Sequence, residues 1–101
     1  MKKYSLSKEA IRDLDEIASY LAEFSIESGE NFIKRFGQKC NNLIKFPYIG
    51  RSYNQIANNL RGINLDRYII LYQVTKDEIE IVRVVSGYRN LDSLFSDDDE
   101  N

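Results

Sequence analysis

Residues 60–95 read LRGINLDRYIILYQVTKDEIEIVRVVSGYRNLDSLF, and this stretch decides the fold. It contains runs rich in β-branched and aromatic residues at 60–65, 68–75 and 79–86, and a short polar turn at 76–78 joins the last two. Runs of this length and composition with such short connections are typical of consecutive antiparallel strands. The stretch therefore predicts a three-stranded meander, followed by a short C-terminal segment.

The last two strands of this meander are apolar on both faces. Because successive strand residues point to opposite faces, Tyr68 and Tyr72 should share one face of the middle strand, and Ile69 and Leu71 the other. Strict alternation divides the apolar residues of the last strand in the same way: Ile79, Ile81 and Val85 on one face, Val82 and Val84 on the other. One face should pack on helices, and the second face then needs another cover.

Two amphipathic helices precede the meander. After a first strand at residues 2–6, Ser7 offers an N-cap hydroxyl, and residues 8–24 and 28–45 keep helical apolar spacing until Pro47 ends the pattern. The two apolar stripes are Ala10, Ile11, Leu14, Ile17, Ala18, Leu21 and Phe24, and then Phe32, Ile33, Phe36, Cys40, Leu43 and Ile44. The solvent side of the first helix is left with Arg12, Asp13, Asp15, Glu16 and Glu23. Two such helices with a short connection predict an antiparallel helical hairpin.

The order of these elements predicts a two-layer α+β fold. The helical hairpin packs on one face of a mainly antiparallel four-stranded sheet in the order β-α-α-β-β-β, and the pattern does not place the first strand within the sheet. Residues 1–95 then form a single domain. Residues 96–101, SDDDEN, are expected to be a disordered acidic tail, because a run of like charges repels itself.

The composition excludes several classes of function. The chain has no histidine and one cysteine, Cys40, so an intrachain disulfide and a Cys/His metal site are excluded, and no cofactor is expected. The acidic run at 97–100 turns a net charge of +2 for the rest into −2 for the chain. That balance falls short of a general nucleic-acid binder, so no specific DNA binding by this chain alone is expected. We find no signal peptide or membrane span, which predicts a cytoplasmic protein.

Short motifs along the chain follow the order found in one known family. They are SKEA at 7–10, PYIGR at 47–51, LR at 60–61, RYIILY at 67–72, IEIVRVV at 79–85 and GYR at 87–89. In this order, over residues 4–95, the chain resembles the ParE branch of the RelE/ParE superfamily, the toxins of type II toxin–antitoxin pairs. It departs from the family at Ser86, where many relatives have histidine, and at Asn90, where they have aspartate.

The resemblance implies a growth-inhibiting toxin of the plasmid-stabilisation type that a cognate antitoxin neutralises. ParE-like members inhibit DNA gyrase by binding it, whereas RelE-like members bind the ribosome and cut mRNA. A third alternative, motivated by Ser86 and Asn90, is a degenerate member that binds an antitoxin without being toxic. The family's antitoxins commonly lay a strand or helix on the toxin, which agrees with a sheet face that needs a cover.

The residues favour gyrase binding over RNA cleavage. Cleavage through a 2′-hydroxyl needs a base, an acid and cations, and by resemblance Arg61 and Arg89 would be the cations. The base and acid are missing, because the chain has no histidine. Ribonuclease relatives often have a lysine cluster on the strand that LRGINL resembles, and this strand has none. Phe95, which has no hydroxyl, stands where they often have an aromatic residue that acts as an acid. We therefore predict no catalytic residues. Target contacts are predicted at Arg61, Arg83, Tyr88 and Arg89, and antitoxin contacts at Tyr68, Tyr72, Val82 and Val84.

Overall fold

The computed structural model describes residues 3–87 and residue 91, and its elements follow the predicted order with one addition. The elements are β1 (Lys3–Leu6), α1 (Lys8–Ala22), α2 (Ile26–Lys45), β2 (Arg51–Ser52), β3 (Leu60–Leu65), β4 (Tyr68–Val74) and β5 (Glu78–Ser86). The two-layer α+β prediction is confirmed, with five strands in the sheet rather than four. The added strand, β2, pairs with Gly62 and Arg61 of β3. The predicted tail at 96–101 lies outside the described residues.

The strands lie in the order β1-β5-β4-β3-β2. β3, β4 and β5 form the predicted antiparallel meander, while β1 runs parallel to β5 with Lys3 opposite Glu78. Parallel pairing requires a crossover connection, and the helical hairpin is part of that connection. The first strand, which the sequence pattern could not place, therefore forms one edge of the sheet.

Serine side chains fix the beginnings of both helices. The Ser7 hydroxyl accepts a hydrogen bond from the Ala10 N–H at 3.0 Å and donates to the Val82 carbonyl at 2.7 Å. It therefore caps α1 and ties its first turn to β5. Ser25 caps α2 by accepting from the Ser28 N–H at 3.0 Å, so α2 begins two residues earlier than predicted. Among the described residues, no helix has the length and apolar character needed to cross a membrane.

The main core lies between the helical hairpin and one face of the sheet. Its buried members are Ala10, Leu14, Ile17, Phe32, Phe36, Cys40 and Leu43 from the helices and Leu65, Ile70, Tyr72, Ile79, Ile81 and Val84 from the sheet. Ile11, Phe24 and Ile33 of the predicted stripes are instead 56%, 71% and 43% exposed and lie outside this core. The sheet thus covers a narrower face of each helix than the apolar spacing indicated.

A β-bulge changes which residues of β5 share a face. The pairing of β4 with β5 shifts register after Leu71, which leaves Val82 as an extra residue in β5. The prediction that Val84 lies with Val82, opposite Ile81, is therefore wrong. Val84 joins Ile81 in the main core, and Val85 lies with Val82 on the opposite face.

The second face of the sheet is covered partly by the chain itself. A second buried cluster there comprises Leu60, Ile69, Leu71 and Val85. Tyr53, Ile56 and Ala57, from the connection between β2 and β3, pack against this cluster together with Leu91. This face therefore needs less cover from a partner than its apolar sequence indicated.

Cys40 is fully buried in the main core, as its place on the apolar stripe of α2 predicts. Burial raises the pKa of its thiol from 9.0 to about 12. Below the unfolded pKa both states are protonated and this group's contribution to stability is complete. As the pH rises further, the unfolded chain loses the thiol proton first, so the free energy of unfolding falls.

We expect this single group to lower the free energy of unfolding by about 1.4 kcal/mol per pH unit between the two pKa values. Urea denaturation of the wild type and of Cys40→Ala at about pH 8 and about pH 10 measures the effect. The variant should be less stable at both values but should lose less stability between them. Equal losses in the two proteins would contradict the assignment to Cys40.

Candidate functional site

Residues 46–51, here called the 46–51 loop, follow α2 and are held from below by one tyrosine. Tyr72 of β4 is fully buried, and its hydroxyl donates to the Pro47 carbonyl at 2.9 Å and accepts from the Gly50 N–H at 2.9 Å. A Cβ at position 50 would lie 2.5 Å from the Tyr72 hydroxyl oxygen and 2.9 Å from the Gly62 carbonyl oxygen. Glycine is therefore required for the loop to approach the sheet so closely.

Arg61 of β3 holds the same loop from the side. Its Nη1 donates to the Gly50 carbonyl at 2.8 Å and to the Tyr48 carbonyl at 3.3 Å. Its guanidinium carbon also lies 5.1 Å from the centre of the Tyr48 ring, within the range of a cation–π contact. The predicted target contact Arg61 is thus engaged with the loop, which leaves it fewer donors for an external anion.

Replacing Tyr72 with phenylalanine measures how much the hydroxyl stabilises this arrangement. The change leaves the Pro47 carbonyl and the Gly50 N–H without their partner, and an unsatisfied buried polar group costs about 1–3 kcal/mol. We expect the free energy of unfolding, measured by chemical denaturation, to fall by about that amount.

Tyr68→Phe is the matched control for this change. The Tyr68 hydroxyl makes no hydrogen bond within residues 3–87 and 91, so its loss should cost less than about 0.5 kcal/mol. Equal losses in the two variants would show that the Tyr72 hydroxyl does not hold the loop.

The 46–51 loop presents large apolar side chains to solvent. Phe46, Tyr48 and Ile49 are 58%, 65% and 63% exposed. Arg51 is also exposed, and its guanidinium carbon lies 5.2 Å from the centre of the Tyr53 ring. The motif PYIGR contributed to the family resemblance, but no role was predicted for these apolar side chains. The available signal was an apolar pair between a proline and a glycine in an otherwise polar connection.

Two clefts flank the 46–51 loop. One, of about 380 Å³, has Lys39, Arg51 and Asn64 in its lining, and the other, of about 270 Å³, lies beside Tyr48 and Arg61. Among the described residues, neither lining includes an aspartate or a glutamate. The charged groups beside the exposed apolar side chains are therefore cations.

Arg83, another predicted target contact, is bound to α1. Its Nε and Nη2 donate to the two carboxylate oxygens of Asp13 at 2.7 and 3.1 Å, and this hydrogen bonding raises the pKa of Arg83. Asp13 also accepts from the Val84 N–H at 2.9 Å. The prediction that Asp13 faces solvent is wrong, because the side chain is only 12% exposed at the junction of α1 and β5.

The predicted antitoxin contacts lie on both faces of the sheet. Tyr72 and Val84 are buried in the main core and present no surface to a partner in this structure. Tyr68 is half-buried on the same face, where its ring packs edge-on against Phe32 with the centres 5.4 Å apart. Val82 is half-buried on the opposite face, beside the second cluster. These residues therefore do not form one continuous surface.

The remaining predicted target contacts, Tyr88 and Arg89, lie outside the described residues, as do Asn90 and Phe95. Ser86, where many relatives have histidine, is the last residue of β5 and pairs with Tyr68. Of the predicted target contacts that the structure describes, Arg61 borders the 46–51 loop and Arg83 belongs to the junction with α1.

An apolar groove of about 430 Å³ opens on the outer side of the helical hairpin. Its lining includes Ala18, Ala22, Ile26, Gly29 and Ile33. The two helices approach closely here, since a Cβ at Gly29 would lie 2.8 Å from the Ala18 carbonyl oxygen. We call this feature the hairpin groove. Sequence reasoning placed Ile33 in the core and therefore did not anticipate an apolar opening on this side.

Comparison with known proteins gives the fold and the site their context. A family model described as the ParE toxin of type II toxin–antitoxin system, parDE, matches residues 4–91. The chain belongs to the ParE toxin family. This match covers both helices, the 46–51 loop and all of the sheet except Lys3, so the ParE resemblance inferred from the motifs is confirmed.

The fold of this ParE family member is similar to that of a chain from a solved chromosomal ParDE TA system from P. aeruginosa. The TM-score is 0.72 at 18% sequence identity, and the match covers 85% of this chain and 96% of that chain. At this identity the similarity shows a shared fold. Among curated proteins, none matches this ParE family sequence.

Proposed function

We propose that this ParE toxin inhibits DNA gyrase by direct protein–protein contact and is neutralised by a cognate antitoxin. The observation that carries the proposal is the ParE toxin match over residues 4–91. A cytoplasmic location and a role in plasmid stabilisation belong to the same proposal. A binding toxin needs a shaped surface with anchoring side chains rather than a reactive group, and the 46–51 loop supports such a surface.

The groups around Arg61 support binding over RNA cleavage. Burial raises the pKa of Tyr72, and its hydroxyl is already hydrogen-bonded to Pro47 and Gly50. Tyr72 is therefore a poorer general base at neutral pH than an ordinary tyrosine, whose pKa is about 10. Arg61 donates to two loop carbonyls, and the sequence contains no histidine.

The hairpin groove supports an antitoxin as the second partner. Contiguous exposed apolar surface of this kind marks interaction sites on proteins, and an amphipathic helix fits a groove between two helices. One solved structure similar to this chain is of a ParDE TA system. We therefore infer that an apolar helical segment of the antitoxin occupies the hairpin groove, near Ile26 and Ile33.

Two assays run side by side test the proposed activity. The first measures supercoiling by purified gyrase, and the second measures mRNA cleavage on translating ribosomes. We expect the toxin to inhibit supercoiling, the antitoxin to relieve that inhibition, and mRNA to stay intact. Cleavage without an effect on gyrase would favour a RelE-like endonuclease instead. Tight antitoxin binding with silence in both assays would identify a non-toxic member.

A further inference from the structure

We propose that the 46–51 loop is the element with which this toxin contacts its target protein, and that it fits an apolar pocket rimmed by carboxylates. The inference rests on the proposed function in that the toxin acts by binding a protein. It names a surface on the toxin that differs from the arginines at 61, 83 and 89 singled out by sequence.

The 46–51 loop is held in place by hydrogen bonds while it exposes apolar surface. Phe46, Tyr48 and Ile49 are each more than half exposed, and exposed apolar area of this kind does not stabilise the folded chain. Hydrogen bonds with Tyr72 and Arg61 nevertheless hold the loop backbone at Pro47 and Gly50. A loop fixed before binding avoids the entropic cost of ordering, so more of its contact energy remains for affinity.

The exposed side chains of the loop are of types that anchor protein interfaces. Tyrosine is among the residues that most often dominate binding energy at protein interfaces, and apolar anchors such as Ile49 fill pockets at their centre. Tyr48 is further restrained by the Arg61 guanidinium beneath its ring. The loop therefore has the composition of the buried centre of a protein interface rather than of its polar periphery.

The charged side chains in the linings of the two clefts beside the loop are cations. Arg51 and Lys39 border one cleft and Arg61 the other, and no acidic residue is found among the described residues that line them. Carboxylates around the partner's pocket would complement these cations and accelerate association. A phosphate backbone fits less well, because Arg61 already donates to Gly50 and Tyr48 and because the Ile49 side chain has no hydrogen-bond donor for a phosphate.

The test compares two double variants that each remove one tyrosine and one isoleucine of similar exposure. Tyr48→Ala with Ile49→Ala alters the 46–51 loop, and Ile11→Ala with Tyr20→Ala alters α1 elsewhere. We expect the loop variant to need at least about 30-fold more toxin for half-maximal inhibition of gyrase supercoiling. The α1 variant should inhibit like the wild type. Both should keep antitoxin binding, which also shows that they are folded.

Growth inhibition on expression in cells is the second readout, because it reports toxicity whatever the target is. If the wild type stops growth without affecting gyrase, the proposed target is wrong and the growth assay decides the role of the loop. Loss of toxicity in the loop variant alone then supports the inference. A loop variant as toxic as the wild type, or one that loses antitoxin binding but not toxicity, would overturn the inference. A wild type without toxicity would also overturn it. Loop-dependent mRNA cleavage would overturn the assignment of a protein partner.

Arg51→Glu separately tests the proposed attraction between the cations beside the loop and carboxylates around the partner's pocket. We expect about 10-fold weaker inhibition of gyrase at low salt, and a smaller difference at high salt where exposed charges are screened. An effect that does not change with salt, or a gain in inhibition, would overturn the assignment of carboxylates to the partner's pocket.

Discussion

Asp13→Ala should lower the free energy of unfolding by about 3–4 kcal/mol, measured by urea denaturation. The change removes the carboxylate that accepts from Nε and Nη2 of Arg83 and from the Val84 N–H. The Arg83 side chain is only 21% exposed, so its charge would be left at the junction of α1 and β5 with little water to replace the carboxylate. In the unfolded chain water hydrates this charge, so the expected loss of stability exceeds the stabilisation that an ordinary surface ion pair provides.

Two further variants show whether the unpaired charge causes the loss. Asp15→Ala removes an exposed carboxylate from the same helix and should change stability by less than about 0.5 kcal/mol. The double variant Asp13→Ala with Arg83→Met removes both charges and should be more stable than Asp13→Ala alone, because the charge and its missing partner disappear together. A double variant no more stable than the single one would contradict this explanation.

Phe32→Ala should lower the free energy of unfolding by about 3–5 kcal/mol. The side chain is fully buried in the main core, and its ring packs edge-on against Tyr68. Truncation removes the buried ring and leaves a cavity between α2 and the sheet, which the rigid strands on its far side cannot fill. Chemical denaturation of the purified variant measures the loss.

The neighbouring residue provides a matched control for Phe32. Ile33 belongs to the same predicted apolar stripe but is 43% exposed, so Ile33→Ala should cost less than about 1 kcal/mol. Losses of similar size in the two variants would mean that Ile33 contributes to the core as the sequence pattern predicted. A small loss for Phe32→Ala would mean that the helical hairpin does not depend on this contact with the sheet.

The periodicity of the sequence predicted the helices and the meander because each has a long, regular apolar pattern. Apolar spacing predicts which side of a helix is buried, but not how much of the helix surface the sheet covers. Ile11 and Phe24 therefore matched the stripe of α1 although the sheet does not reach them. The register shift at Val82 was also invisible, since the apolar run continues on both sides of it.

The candidate site was less predictable because it depends on contacts between distant segments. Arg61 was singled out by resemblance, but its hydrogen bonds to Tyr48 and Gly50 require β3 and the 46–51 loop to lie side by side. The bond between Arg83 and Asp13 joins residues 70 positions apart. The apolar spacing of a sequence cannot show which carboxylate will pair with a buried arginine. By its position in the helical pattern, Asp13 belongs to the polar side of α1.

The parallel pairing of β1 with β5 has a consequence for the synthesis of the toxin. The side chains of Ser5 and Glu78 meet although they are 73 positions apart, and β5 supplies surface against which α1 packs. A nascent chain cannot make these contacts until residues 78–86 have left the ribosome, and such long-range pairing forms late. Because β5 lies between β1 and β4, the sheet of the nascent toxin stays incomplete until β5 has emerged.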